Sequence, residues 1–368
     1  MSAPPAPKTT RGRFFEDFRR GQVLRHPTPR TVTPGDVALY LALTGDRRPL
    51  HCADPFARAL GYARAPVHDW LAFHVVFGKT VGQISLNAVA NLGYADGRFR
   101  RPVYPGDTLR AESEVLGTKE TSSGKAGIVW VRTRGLNQRD EEVLSYCRWV
   151  MVEKREPGRA TGAADAPALP GVVPATELAA PAELDLSRWP SVAGATGGAA
   201  LWEDYAVGER IDHVDGMTID ETDHTSATRL YQNTARVHFN GLEMARSRFG
   251  RRLMYGGHVI SVASALGFAG MENALVVLAL NGGLHANPTF AGDTVYAWTE
   301  VVDRAPLVGT GDAGALRVLL CAAKNVDPAR EPVARRVRNE QGGAGREEAP
   351  DPRLVLELDL WVLVPRRR

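Results

Sequence analysis

The stretch at residues 67–83, VHDWLAFHVVFGKTVGQ, is apolar on most of its faces, which is typical of a helix buried in a protein core. A shorter helical pattern precedes it at residues 54–60. Alternation of apolar and polar residues follows it at 107–117, 127–137 and 143–154, and predicts strands with one solvated face. A buried helix followed by successive antiparallel strands predicts an α+β fold in which a sheet wraps around the helix.

The chain repeats this pattern once. FEDF at residues 15–18 corresponds to WEDY at 202–205, 187 positions later, and PGDT at 105–108 corresponds to AGDT at 291–294, 186 positions later. The second copy of the buried helix is GHVISVASALG at 257–267. Because the register is kept from the first match to the last, the sequence predicts a duplicated domain. The expected architecture is a double hotdog, two tandem units that each wrap an antiparallel sheet around a central helix.

Composition divides the chain into three parts. Residues 157–200 are rich in Pro, Ala and Gly and show little periodicity, which predicts a linker. The expected domains are therefore an N-terminal hotdog at 12–156 and a C-terminal hotdog at 201–365. A charged, Gly-containing stretch at 327–350 has no counterpart in the first half and predicts a solvated loop between two strands.

Length, charge and cysteine usage exclude several classes of protein. The 368 residues are 44% hydrophobic with a formal net charge of +3, so a wholly disordered chain is excluded. No apolar run is long enough to span a membrane, and scattered basic residues argue against nucleic-acid binding. The first residues lack the apolar region of a secretory signal, so none is expected. Cys52, Cys147 and Cys321 form no CxxC pair and are expected to be buried in a cytoplasmic protein. Without metal-ligand spacing or a GxGxxG loop, neither a metal nor a cofactor is expected.

In each half, a polar side chain stands five residues ahead of a histidine. Asp46 precedes His51, and 187 positions later Asn233 precedes His238. An enzyme that adds water needs such a pair, because one group orients or deprotonates the water while the other transfers a proton at the neighbouring carbon. The spacing alone is also compatible with loop histidines whose ring nitrogens are bound by backbone groups.

Several blocks of sequence resemble a known family. TGDRRPLHCADPFARALG at residues 44–61 resembles the hydratase motif of the MaoC-like, (R)-specific enoyl-CoA hydratases. FFEDFRRGQ at 14–22, RLYQNTARVHFN at 229–240 and GRRLMYGGHVIS at 250–261 are similar to the mesaconyl-CoA hydratases within it. The resemblance implies a cofactor-independent lyase that converts mesaconyl-CoA reversibly to β-methylmalyl-CoA, in acetyl-CoA assimilation of the ethylmalonyl-CoA type. It implies a CoA thioester as the binding partner and allows self-association into a homo-oligomer.

The resemblance leaves two candidate sites. Asp46 and His51 match the enoyl-CoA hydratase motif residue for residue, whereas Asn233 replaces the acid beside His238. Mesaconyl-CoA carries a carboxylate on the carbon that is hydrated, and a second carboxylate 4 Å away would cost about 4 kcal/mol at an effective dielectric of 20. This repulsion favours the Asn233 and His238 site.

A guanidinium would hold that carboxylate in either site. Arg236 is the candidate in the second half, and Arg47 and Arg48 are the candidates in the first.

The second predicted central helix begins with Tyr255, Gly256, Gly257 and His258. Its N-terminal N–H groups could bind the thioester oxygen, and the two glycines would let that oxygen approach the backbone, although a Gly-rich helix start without a binding role explains the pattern equally well. Two other functions stay open: (R)-specific hydration of another enoyl-CoA, which would favour the Asp-containing pair, and binding of acyl-CoA without catalysis.

Overall fold

Ten long strands and nine helices make up most of the computed structural model, which describes residues 8–338 and 348–367. The helices are α1 (Pro34–Thr44), α2 (Pro49–Cys52), α3 (Asp54–Ala59), α4 (Asp69–Thr80), α5 (Trp189–Val192), α6 (Glu221–Leu230), α7 (Arg236–Phe239), α8 (Gly241–Met244) and α9 (Gly256–Leu266). The long strands are β1 (Val23–Thr31), β2 (Ala88–Phe99), β3 (Thr108–Glu120), β4 (Ala126–Leu136), β5 (Glu142–Glu153), β7 (Arg210–Thr218), β8 (Val276–His285), β9 (Thr294–Pro306), β10 (Ala313–Lys324) and β13 (Leu354–Pro365). The short strands are β6 (Ala164–Asp165), β11 (Val337–Arg338) and β12 (Glu348–Ala349).

One antiparallel sheet passes through both halves of the chain. In the first half the strands lie in the order β1-β3-β4-β5-β2, and in the second the order β7-β9-β10-β13-β8 is the same once the repeat is taken into account. The halves join where β2 pairs with β8, with Tyr94 opposite Gly283 and Arg98 opposite Ala279. The predicted α+β double hotdog is confirmed. The matching strand order supports our proposal that residues 12–156 and 201–365 are two copies of one domain.

The two long central helices occupy equivalent positions. α4 and α9 begin 187 residues apart, as the repeat predicts, and nearly every side chain of each is buried. The predicted first helix, 67–83, continues beyond α4 as a π-helical turn, Val81–Ser85. The helices touch through His74 of α4, whose Nε2 lies 2.9 Å from the Oγ of Ser261 on α9. The cores of the two halves are therefore in direct contact.

Residues 157–200, predicted as a linker, pack against both halves: β6 pairs with β3, and the Trp189 ring contacts that of Phe56. Val173 is fully buried, donates its N–H to the Asn281 side chain at 2.8 Å and accepts a hydrogen bond from the Trp361 indole at 3.0 Å. Trp189 is buried in the same apolar cluster. The composition of this segment did not predict these contacts, because isolated apolar residues in a Pro/Ala/Gly background show no period.

The stretch at 327–350, predicted as a solvated loop, connects β10 to β13. Its described part contains the two short strands β11 and β12, which pair with each other. The central portion of that predicted loop, 339–347, lies outside the described residues.

Two of the three cysteines are buried, as predicted, but Cys52 is exposed. Its position at the last residue of the four-residue α2 turns the thiol away from the core, so the prediction for this residue was wrong. All three cysteines are free thiols. Among the described residues there is no helix whose length and apolar character would let it cross a membrane.

Candidate active site

The two motif loops begin with the same backbone turn. α1 is followed by Gly45 in the left-handed conformation, φ 66°, and Asp46 comes next. At the equivalent point after α6, Gln232 takes φ 54° and Asn233 comes next. Glycine adopts this conformation freely, whereas a glutamine there is strained. The turn places Asp46 and Asn233 at equivalent positions at the start of the two motif loops.

Both motif histidines are held in the same way. The Nδ1 of His51 lies 3.1 Å from the Pro66 carbonyl oxygen, and the Nδ1 of His238 lies 2.9 Å from that of Leu253. Since a carbonyl can only accept, each Nδ1 donates its hydrogen and each Nε2 keeps a lone pair. Burial lowers the pKa of each imidazole to about 4. Both rings are therefore neutral at pH 7, and each can act as a base through Nε2.

In the first half, the carboxylate of the motif is hydrogen-bonded and ion-paired to other residues of the protein. Asp46 accepts hydrogen bonds from the Arg48 backbone N–H and guanidinium, and its Oδ2 lies 3.2 Å from Nε2 of His68. The Asp46 side chain is only 1% exposed. Burial would raise the pKa of this carboxyl, but Arg48 and His68 hold it well below its usual range. Arg48 also donates to the Ser264 carbonyl oxygen at 2.8 Å.

The cavity beside His51 is small, about 50 Å³. Apart from His51, His68, Arg48 and Asp69, residues of the second half line it, and most of them are apolar. Asp69 occupies the N-terminus of α4 and accepts the Val277 N–H at 3.0 Å. A carboxyl group of the protein therefore stands where the second half has Gly256.

The cavity beside Asn233 and His238 is much larger, about 320 Å³. The second half contributes Asn233, His238, Tyr255, Gly256 and His285 to its lining. The first half contributes several residues from the end of α4 and from β2 and β5: Phe77, Val81, Ser85, Asn91, Tyr94 and Arg148. Each motif thus opens onto a cavity walled by the other half of the chain, and only the second motif has room for an acyl group.

The N-terminus of α9 forms part of this larger cavity. No side chain among the described residues caps the helix at Tyr255, so its first N–H groups remain available to a ligand. A Cβ on Gly256 would lie 2.6 Å from the His285 ring, and one on Gly257 would lie 2.3 Å from the Tyr255 ring. Only glycine fits at these two positions.

Some residues proposed from the sequence lie elsewhere. Arg236 is on the partly exposed α7, where Nη1 reaches Asn87 at 3.4 Å. His258 is fully buried, with Nδ1 3.3 Å from the Tyr231 hydroxyl. Neither is among the described residues that line the cavity. The Arg47 guanidinium lies over the Phe268 ring at 5.2 Å.

Tyr94, His285 and Arg148 are among the polar residues of the larger cavity that the sequence interpretation missed. For Arg148 a signal existed. It is in phase with the apolar Tyr146 and Val150 on the buried face of β5, where a charged residue is unusual. For Tyr94 and His285 there was none, because their contact depends on the pairing of β2 with β8. Among residues 8–338 and 348–367 no three His, Cys, Asp or Glu side chains are grouped so that they could hold a metal ion.

Comparisons with known proteins identify the family to which the chain is similar. Residues 5–339 match a family model described as mesaconyl-CoA hydratase. The chain is 52% identical to β-methylmalyl-CoA dehydratase of Chloroflexus aurantiacus, over 98% of this chain and 99% of that protein. It is 53% identical to mesaconyl-CoA hydratase of Cereibacter sphaeroides, over 98% and 100%.

Solved structures give the same picture of the fold. A MaoC domain dehydratase protein from Chloroflexus aurantiacus superposes with a TM-score of 0.90 at 50% identity, covering 99% of this chain and 100% of that one. A double-hotdog protein of Mycobacterium tuberculosis has a TM-score of 0.74 at 23% identity, covering 97% and 99%. The second likeness concerns the fold alone.

Proposed function

Because the chain belongs to the mesaconyl-CoA hydratase family, we propose that it adds water reversibly to mesaconyl-CoA (2-methylfumaryl-CoA) to form β-methylmalyl-CoA. One observation carries this proposal beyond the family likeness. An uncharged amide and a neutral imidazole line the same 320 Å³ cavity as an uncapped helix N-terminus. These are the groups that water addition to a conjugated thioester requires.

The reaction proceeds in two steps at this site. His238 Nε2 takes a proton from a water molecule that the Asn233 amide orients, and the hydroxyl attacks the carbon β to the thioester. The π electrons move to the thioester oxygen, where the N–H groups of Gly256 and Gly257 stabilise the enolate. The His238 imidazolium then returns the proton to the α carbon. The elements of water are added across the double bond, and the reverse sequence eliminates them.

The neutral amide suits this substrate better than a carboxylate would. The β carbon of mesaconyl-CoA carries the free carboxylate, so the attacking water arrives beside a negative charge. The Asn233 amide can orient that water without adding a second negative charge, whereas an aspartate there would repel the substrate.

The rival placement at Asp46 and His51 has less support. Its cavity holds about 50 Å³, its acid is paired with Arg48, and the Asp69 carboxyl occupies the helix N-terminus where an enolate would have to bind. A developing negative charge is destabilised by a carboxyl group in that position if it ionises.

The substrate would enter from the side of α7 and α8. Arg248 is exposed and also lines the cavity, so it marks the opening toward solvent. The CoA portion would remain at this opening while the methylfumaryl group reaches His238. We also propose that the protein works in the cytoplasm, in keeping with its free thiols.

Turnover tests the proposal directly. The purified protein is incubated with mesaconyl-CoA and, separately, with crotonyl-CoA, and the loss of enoyl absorbance is followed. We expect fast hydration of mesaconyl-CoA. A clear preference for crotonyl-CoA would instead indicate an enoyl-CoA hydratase of other specificity, and binding of both thioesters without turnover would indicate an acyl-CoA-binding protein.

A further inference from the structure

A buried arginine lies in the wall of the larger cavity without an acidic partner. Arg148 is on β5, and its exposed fraction is 0%. Its Nη2 donates to the hydroxyls of Thr80 at 2.8 Å and Ser85 at 2.9 Å, and its guanidinium lies 4.3 Å from the centre of the Phe77 ring. Its Nε has no acceptor among the described residues.

An unpaired charge in this environment is costly. Burial lowers the pKa of Arg148, but an arginine stays protonated in proteins, so a full positive charge is retained. Within residues 8–338 and 348–367, Arg148 takes part in no ion pair, whereas Arg48, which lines the smaller cavity, is paired with Asp46. A buried charge that lacks a counter-ion destabilises the folded protein by several kcal/mol in the usual case. The unpaired charge of Arg148 therefore indicates a binding site for an anion that is not part of the protein.

Arg148 and His238 line the same cavity, and the Phe77 and Tyr255 rings form a chain of contacts between them. The ring centres of Phe77 and Tyr255 are 5.7 Å apart, and those of Tyr255 and His238 are 5.6 Å apart. The Asn91 amide lines the same cavity, and neither its nitrogen nor its oxygen has a hydrogen-bond partner among the described residues. The cavity therefore has a cationic, hydrogen-bonding wall in addition to the water-binding pair.

We propose that Arg148 binds the free carboxylate of the substrate and is the residue that makes the site specific for enoyl-CoA thioesters with a carboxylate on the β carbon. The proposal rests on the proposed function, since it takes the second motif as the working site. The trans double bond directs the carboxylate away from the thioester, so Arg148 can hold one end while the N-terminus of α9 holds the other. Because both Nη2 hydrogens are donated to Thr80 and Ser85, the Nε–H of Arg148 is a donor left for the carboxylate. The Asn91 amide supplies a further donor.

This assignment replaces Arg236, Arg47 and Arg48 as the carboxylate clamp. It also explains discrimination against monocarboxylic substrates. A crotonyl group has a methyl where mesaconyl-CoA has its carboxylate, so its binding would leave Arg148 buried with its charge uncompensated. Sites with unpaired polar groups reject such analogues strongly.

The test compares Arg148→Met and Arg148→Lys with the wild-type protein and with Arg134→Met as a matched control. Arg134 is on the neighbouring β4, but its side chain is 47% exposed and bound to Glu112 and Glu142. For each protein, kcat/KM is measured with mesaconyl-CoA and with crotonyl-CoA.

We expect Arg148→Met to lower kcat/KM for mesaconyl-CoA by about 10²–10³-fold and to leave crotonyl-CoA hydration unchanged or faster. Arg148→Lys keeps the positive charge but loses the planar guanidinium. Its KM for mesaconyl-CoA should therefore be lower than that of Arg148→Met, and its kcat/KM should be partly restored. Arg134→Met should behave as wild type. Crotonyl-CoA turnover serves as the internal measure of correct folding.

The proposal is overturned if Arg148→Met loses both activities in parallel, which would indicate a structural role, or if it keeps the wild-type preference for mesaconyl-CoA. Failure of the proposed function has a different signature, because it would be seen in the wild-type protein as absence of mesaconyl-CoA hydration. In that case fumaryl-CoA, which keeps the carboxylate and lacks the methyl group, replaces mesaconyl-CoA in the same comparison.

Discussion

The two copies of the motif share their backbone and differ in their charges. In both, a left-handed residue precedes the polar side chain, and the histidine donates Nδ1–H to a carbonyl fifteen residues later. In the first copy, Asp46 is neutralised by Arg48, and the adjoining cavity holds about 50 Å³. In the second, Asn233 needs no counter-ion and the cavity holds about 320 Å³.

The difference shows what duplication allows. Once one copy performs the chemistry, the other is free to convert its polar groups into internal contacts. The pairing of Asp46 with Arg48 within the motif loop and the hydrogen bond from the Val277 N–H of β8 to Asp69 of α4 are contacts of this kind. The same substitution made separately in each copy shows which of the two sites is catalytic.

The largest effect is expected from the histidines. His238→Ala should lower the rate of mesaconyl-CoA hydration by about 10²–10⁴-fold, because it removes the base that activates water. His51→Ala removes the same ring from the first copy and should leave the rate within about threefold of wild type, because the adjoining cavity is too small for the substrate. Both rates are read from the loss of enoyl absorbance. A full rate in His238→Ala, or an equal loss in His51→Ala, would assign catalysis to the first copy or to both.

The next largest effect is expected from exchanging the polar partner. Asn233→Asp gives the second copy the acid of the first. Its carboxylate would repel that of mesaconyl-CoA by up to about 4 kcal/mol, so we expect a loss of about 10²–10³-fold in kcat/KM.

Crotonyl-CoA carries no free carboxylate, so this charge repulsion is absent. The kcat/KM for crotonyl-CoA should therefore fall less than about tenfold in the Asn233→Asp variant. The informative quantity is therefore the ratio of the two substrates. Equal losses for both would show that the amide acts in some way other than by avoiding charge repulsion.

Much of this arrangement could be predicted from the sequence, because it depends on local pattern and on the repeat. The register of 187 residues relates the starts of α4 and α9 and the two motif loops. The strand order of one half then follows in the other. The central helices could also be identified, because residues 67–83 and 257–267 are apolar on most faces of a helix.

The charge partners could not be predicted, because they depend on the direction of side chains. Arg48 is two residues from Asp46, and spacing cannot tell whether its guanidinium turns inward or toward solvent. Arg148 is 68 residues from Thr80 and contacts it only because β5 packs beside the end of α4. Spacing likewise proposed Arg236 as the clamp from its proximity in sequence to His238, but Arg236 is not among the described residues that line the larger cavity.

The smallest effect on turnover is expected from Arg48→Met. Hydration of mesaconyl-CoA should stay within about threefold of wild type, because Arg48 lies beside the first motif and we propose that catalysis takes place at the second. The free energy of unfolding should fall by about 3–5 kcal/mol, since Asp46 would be left buried without its main counter-ion. Urea denaturation at pH 7 measures this loss, and Asp46→Asn introduced into the same variant should recover part of it.

The stability difference between Arg48→Met and wild type should also depend on pH in a defined direction. Arg48 holds the pKa of Asp46 below that of the unfolded chain, so its stabilising contribution is complete above about pH 4 and is lost as the pH falls below that value. The two unfolding curves should therefore approach each other in acid. If they stay equally far apart down to pH 2, the stabilisation by Arg48 comes from its contact with the Ser264 carbonyl and not from its charge. The Arg48–Asp46 ion pair would then add nothing to the stability of the first copy. The two copies would differ in the volume of their cavities alone.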